Sequence, residues 1–382
     1  MFDPLSEGAL RDPFQLYDRL RVETPVYFDE RLQAWIITRH RDAARVLSEH
    51  QTFGTDIRKA GVEIPDSSNS IQLLDPPEHG TINRVLVRGC RAQDWQQLRG
   101  SLLKEISYRL NVAAGHHSAD FCKEVAAPVA FHAITTFLGL RDAELDAVHE
   151  WSTAIVNAMD SGLNPSAAAP GAAARDQLTE LVTQEYHSDR SEGLIGWMRQ
   201  HSSGVAPTST ITNTLRAMLH AGYAPVAKLL ANALHAVLAS SSACLTQLQI
   251  CDHERWSGEL LRYATPVHAV CRVTNTESEI GGYRIHPNQE VVVLLAAANR
   301  DPEVFPDPHL LLLQRDTTAA LAFGCGPHYC PGASLATLVL VSCLGLIATR
   351  FARTRLIGDP EPLPNAVLRG PAHMMVHLIP ES

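Results

Sequence analysis

The sequence predicts a mainly α-helical protein with small β-sheets, an α+β chain dominated by helix. From about residue 82 to 240, apolar residues recur at i, i+3 and i+4, as in AAPVAFHAITTFLGL, ELDAVHEWSTAIVNAM and DQLTELVTQEY. That is the period of helices that bury one face. Short alternating runs flank this bulk, PVYFDERLQAWIITR before it and YRIHPNQEVVVLL and HMMVHLI after it, and these read as strands.

Taken in order, Pro13 to Arg21 predicts a short amphipathic helix, the alternating run after it a two-stranded hairpin, and HRDAARVLSEH a second helix. Residues 54–74 hold Gly54, Gly61, Pro65 and a Ser/Asn cluster, the composition of a long loop that faces substrate. The stretch 160–171, DSGLNPSAAAPG, has two prolines and two glycines and is expected to break the helical bulk as a hinge or lid. A last apolar helix starts near Ala333. One domain over 1–382 is expected, with a helix-rich core at about 82–262 and 318–352 and β-rich parts at about 22–40, 267–296 and 365–380.

With 382 residues, 45% hydrophobic and 19% charged, the chain can bury a large core. A net charge of -9 argues against a general polyanion binder, so nucleic acid is not an expected partner. The N-terminal MFDPLSEGALRDPFQLYDRL lacks a basic region, a long apolar run and a cleavage site, and no transmembrane span is expected anywhere. Eight cysteines without framework spacing suit reduced thiols and a cytoplasmic location.

The chemistry concentrates at Phe323-Gly324-Cys325-Gly326-Pro327-His328-Tyr329-Cys330-Pro331-Gly332, which opens the last apolar helix. Glycines allow a tight turn beneath a flat cofactor. A cysteine just before a helix N-terminus has its thiolate stabilised by amide donors and the helix dipole. Alone, this is also the pattern of an ordinary buried cysteine in a turn. The spacing F-G-x-G-x-H-x-C-x-G, filled by Phe323, Gly324, Gly326, His328, Cys330 and Gly332, resembles the haem-binding loop of the cytochrome P450 family at every fixed position.

The resemblance implies that Cys330 is the axial ligand of haem b (iron protoporphyrin IX), with the haem buried between the central helix and the Cys-loop helix and His328 donating to a propionate. Upstream, Glu259 and Arg262 resemble the family's E-x-x-R, which implies a buried ion-pair network, although an isolated E-x-x-R is otherwise a weak surface pair. Arg272, six residues after Pro266, takes the place of a propionate-binding arginine, and Ala298 to Pro308 resembles the segment after the family's central hairpin. Asp75-Pro76-Pro77-Glu78-His79 resembles the start of the helix over the haem edge, where His79 would meet a propionate. The family usually has an arginine four residues after that histidine; here it is Asn83, so either Arg84 substitutes or one contact is missing. The resemblance runs over essentially the whole chain and is to the soluble bacterial branch.

One departure bears on catalysis. The family's A-G-x-[D/E]-T over the iron reads Ala221-Gly222-Tyr223-Ala224-Pro225 here, so the acid and alcohol that help deliver protons are absent. Pro225 frees the carbonyl of Ala221 and should kink the helix, leaving a groove. Ordered water on that carbonyl, or a substrate hydroxyl or amine, is the expected proton route past Ala221, Gly222 and Pro225. The expected pocket holds Leu73, Leu74, Met218, Ala221, Val267, His268, Met374 and Met375, a set that could otherwise be plain core.

The resemblance implies a monooxygenase acting on a small organic molecule in bacterial secondary metabolism. A ferredoxin and its reductase would supply electrons, and Arg84, Arg88 and Arg91 would offer a basic docking patch, or simply a solvated helix face. Peroxide-driven catalysis, or a catalytically silent haem protein that senses a ligand, are the alternatives that the missing pair raises. No membrane partner is expected, and a monomer is the default.

Overall fold

The computed structural model describes residues 3–61, 63, 68–240 and 244–381. Helices assemble around one large apolar cluster, and the sheets lie at its margins. The central helix, Thr208–Ala239, is buried around most of its circumference, from Ile211 and Leu215 to Leu234 and Val237. A helix apolar on all sides belongs inside a fold. Gly222 lets the Ala127–Leu138 helix approach it closely, since a Cβ there would lie 2.3 Å from Ile134 Cδ1.

The N-terminal expectations hold. Pro13–Glu23 is a helix capped by Asp12, whose side chain accepts from the Phe14 amide, and Pro13 fills the first helical position, where no N–H is needed. Val26–Asp29 and Ala34–Ile37 pair antiparallel in the register Val26↔Ile37, with Phe28 and Trp35 packed ring to ring at 5.4 Å. That hairpin joins a five-stranded sheet through parallel pairing of Ala34–Ile37 with Glu290–Leu294, followed by Ala269–Thr274 and Phe53–Gly54. The sheet thereby joins the start of the chain, through Glu290–Leu294, to the strand that carries Arg272.

Two expectations change. The break at 160–171 ends early, because Ala168–His187 is helical and includes Pro170 and Gly171. Pro170 lies in the first turn, where amides lack intrahelical partners, so the missing N–H costs nothing. Gly171 meets Ala158, where a Cβ would come within 2.2 Å of that residue's Cβ, so this glycine serves a close helix crossing and not a hinge. Residues 318–332, expected in the helical core, form loop with one short 3-10 turn at Gly326–His328. The Ala333–Arg350 helix is long and apolar enough to cross a membrane by length and composition, but 56% of it is buried inside the fold, as for a core helix. All eight cysteines are free thiols.

Candidate active site

The Cys loop closes on itself through the Cys330 amide, which donates to the Phe323 carbonyl at 3.1 Å. Gly324 and Gly326 adopt φ of 69° and 74°, backbone that side-chain-bearing residues rarely accept. At Gly326 a Cβ would also lie 2.5 Å from the Leu47 carbonyl, so this glycine seats the loop on the His40–Ser48 helix without entering the cavity wall. Gly332 precedes the Ala333–Arg350 helix, and its amide donates to the Cys330 sulfur. Burial outweighs that single donor and raises the Cys330 thiol above its ordinary value. A cation bound at the sulfur would favour its anionic form against this burial.

The sulfur faces an apolar cavity of about 380 Å³ between this loop and the central helix. Met218, Ala221, Gly222 and Pro225 form the helix side, Val267 a flank, and Phe323, Gly324 and Gly332 the loop side. The helix continues through Pro225 to Ala239. Of the two positions where acid and alcohol were expected, Pro225 reaches the cavity, whereas Ala224 is buried away from it.

One rim of the cavity is basic. His79, on the Glu78–Ala92 helix, and His328 stand with ring centroids 4.1 Å apart, and Arg272 projects from the Ala269–Thr274 strand. His328 Nε2 meets Thr55 Oγ1 at 3.3 Å, and Thr55 and Lys59 hold Asp75 through its carboxylate at 2.7 and 2.6 Å. Among the described residues Arg272 has no carboxylate partner and donates to the neighbouring Cys271 carbonyl at 2.8 Å. Burial, then the nearby His79 and Arg272, pushes His328 down to about 3. Asp75 stands near this rim but is already held by Thr55 and Lys59, so carboxylates at the edge of a bound apolar group would meet Arg272 and the two imidazoles. A thiol, an apolar cavity and hydrogen-bond donors at its rim thus fit an iron porphyrin.

Asn83 lies in the cavity wall, while Arg84 is exposed and turned towards Thr81, so Arg84 does not replace the missing arginine. Positions one apart on a helix point about 100° apart, which leaves Arg84 outside. The pocket list also shifts. Leu73 and Leu74 stay outside the wall, and Ile71 and Gln72 line it, because a 3-10 turn at Ile71–Leu73 is tied to the central helix by the Ile71 amide donating to Thr214 Oγ1 at 3.1 Å. Asn213 Nδ2 adds a bond to the Asn69 carbonyl at 3.1 Å. Of the 54–74 loop, residues 62 and 64–67, Pro65 included, lie outside the described residues. Met374 is fully buried in the main core, Met375 is exposed, and His268 points away from the cavity to Tyr17, Oη to Nδ1 3.0 Å. Strand-end residues show alternate faces, and a sequence does not reveal which face the tertiary packing selects. Thr265, in the run Tyr263 to Val267 that follows Glu259 and Arg262, also lines the cavity, as does Leu229, which no motif marks.

Behind the loop, Glu259 and Arg262 are fully buried on one helix, His253–Tyr263. Arg262 Nε and Nη2 donate to the two carboxylate oxygens at 2.7 and 2.8 Å, and Arg315 Nε and the Leu312 amide donate to Glu259 Oε1 at 3.1 and 2.9 Å. Arg262 Nη1 reaches the carbonyls of Asn299 and Pro308, and the Asn299 side chain accepts from the Leu321 amide at 2.7 Å, just ahead of the Cys loop.

A helical fold with a half-buried cysteine opposite a long central helix, and Arg272 and two histidines at the rim between them, is the arrangement that a haem-thiolate site requires. The family model for cytochrome P450 matches residues 254–376. Cytochrome P450 107B1 of Saccharopolyspora erythraea is 28% identical over 351 residues, 87% of this chain and 85% of its own length. Nocardicin C N-oxygenase of Nocardia uniformis subsp. tsuyamanensis is 27% identical, covering 98% and 97%. The crystal structure of CalO2 superposes with a TM-score of 0.88 at 26% identity, covering 100% of this chain and 99% of its own. Over residues 254–376 the chain matches the cytochrome P450 pattern, and along nearly its whole length it is similar to bacterial cytochrome P450 monooxygenases, proteins whose cofactor is haem b.

Proposed function

We propose that Cys330 is the haem ligand, that His79, Arg272 and His328 hold the haem carboxylates, and that the face from Ala221 to Pro225 bounds the substrate side. The observation that carries this reading is one cavity lined by the Cys330 sulfur, the basic rim and the central helix together. When bound, a haem with thiolate ligation activates dioxygen for transfer of one oxygen atom to a substrate. Glu259 and Arg262 keep the loop in place, and Asn83 stands where the family usually has an arginine, so the haem carboxylates are met by the Arg272 guanidinium and two imidazoles with one charge fewer than usual. The whole chain, 1–382, is read as one P450 domain working in the cytoplasm on a small organic molecule of bacterial secondary metabolism; relatives named as nocardicin C N-oxygenase and as the monooxygenase PikC support this class.

The proton route runs past Pro225, by water on the Ala221 carbonyl or by a polar group of the substrate. Because position 225 faces the cavity and 224 does not, Pro225→Thr alone is expected to raise product formed per electron consumed, by roughly the 10²-fold lower bound of a placed proton donor or less. Unchanged coupling would show that the absent alcohol is not limiting. Peroxide-driven turnover is the second reading, favoured by the same missing side chains.

Electrons are assigned to a small acidic ferredoxin and its reductase. Arg84, Arg88 and Arg91 are all exposed, one helical turn apart on the Glu78–Ala92 helix. Reversing their charge with glutamate is expected to slow ferredoxin-driven turnover about tenfold or more at low salt, to lose that effect at high salt, and to leave peroxide-driven turnover alone. Equal losses with both oxidant systems would refute the docking role.

A further inference from the structure

Thr265 is 3% exposed in the wall of this cavity, and among the described residues its hydroxyl has no hydrogen-bond partner. Leaving a buried hydroxyl unpaired is costly, and native folds pair nearly all such groups. The other two threonines of the wall are engaged. Thr55 Oγ1 meets Asp75 and His328, and Thr214 Oγ1 donates to the Thr210 carbonyl at 2.7 Å while accepting from Ile71.

The backbone around Thr265 is held from several sides. The Ala264 carbonyl accepts from Asn232 Nδ2 at 3.3 Å, the Pro266 carbonyl from the Arg369 amide at 2.8 Å, and Val267 bridges to Leu368. From behind, the His268 ring takes the Tyr17 hydroxyl on Nδ1 and is also hydrogen-bonded to the Thr265 carbonyl. His268, expected from the sequence to touch substrate, is instead a strut under the residue that lines the cavity. In the observed rotamer the hydroxyl is covered, but a turn about χ1 exchanges it with the methyl group, and it has no bond to break.

We propose that the Thr265 hydroxyl is a substrate anchor, a specificity-determining group that hydrogen-bonds a carbonyl or hydroxyl oxygen of the substrate. The enzyme then selects oxygen-bearing small molecules over hydrocarbons of the same skeleton. This rests on the reading of the cavity as the chamber for haem and substrate.

The test is spectral titration of the haem-loaded protein with 1-tetralone and tetralin, which share a carbon skeleton and differ in the carbonyl. Thr265→Val keeps the shape without the hydroxyl and is expected to lower the ketone-to-hydrocarbon affinity ratio about three- to tenfold, by weakening tetralone alone. Thr265→Ser is expected to keep the wild-type ratio. An unchanged ratio in Thr265→Val, a ratio that falls equally in Thr265→Ser, or a wild type that responds to neither probe overturns the anchor. So does a Thr265→Val protein that loses the thiolate band in its reduced, carbon-monoxide-treated spectrum, since Thr265 then acts structurally. Loss of that band in the wild type would instead overturn the haem assignment itself.

Discussion

Cys330→Ser is expected to abolish the thiolate absorption band of the reduced, carbon-monoxide-treated protein and to reduce turnover by more than the roughly 10- to 100-fold that loss of a supporting contact costs at a metal site. Serine nearly preserves the shape of cysteine, so packing of the loop changes little while the soft anionic sulfur is gone. The neighbouring thiol is the control. Cys325 lies in the same loop, but its Sγ turns to the Ala44 carbonyl at 3.6 Å and Ser48 Oγ at 3.4 Å, against the His40–Ser48 helix. Cys325→Ser is expected to keep the band. A band retained in Cys330→Ser would refute the ligand assignment outright.

The second large effect is on stability. Glu259→Ala is expected to cost about 3–5 kcal/mol, because it strands the fully buried Arg262 and leaves the nearly buried Arg315 without its carboxylate. Against the roughly 5–15 kcal/mol that separates a folded domain from its unfolded chain, this is a large share. Denaturant midpoints measure the loss, and haem content of the purified protein reads its consequence, since Arg262 bonds the carbonyls of Asn299 and Pro308 and Asn299 in turn bonds the Leu321 amide ahead of the Cys loop. A loss below about 1 kcal/mol, the ordinary worth of an exposed pair, would contradict the burial. The exposed Arg11–Glu7 pair, with more than 70% of each side chain accessible, serves as that reference.

Much of the fold was legible because its signals are local. The N-terminal hairpin, the Pro13–Glu23 and His40–Ser48 helices and the long Ala333–Arg350 helix follow from periodicity, caps and turn residues that neighbouring positions supply. The 160–171 segment misled for the same reason. Proline and glycine read as breakers in isolation, and what Gly171 serves is a helix crossing with Ala158, 13 positions earlier in the chain. Nor does the chain announce that Ala34–Ile37 pairs parallel with Glu290–Leu294, since strand partners far apart in sequence leave no mark on either run.

At the site, the sequence by itself carried the chemistry: a cysteine at the end of a glycine-shaped loop, a glutamate and arginine three apart, and the loss of acid and alcohol at 224 and 225. Those depend on residue type and short spacing, which the chain states directly. Only the tertiary structure decided which side chains face the cavity: Asn83 in and Arg84 out, Ile71 and Gln72 in place of Leu73 and Leu74, His268 turned to Tyr17, and the Thr265 hydroxyl without a partner among the described residues. Orientation is set by contacts between segments hundreds of residues apart, and a rotation of one position on a helix or strand moves a side chain from wall to solvent.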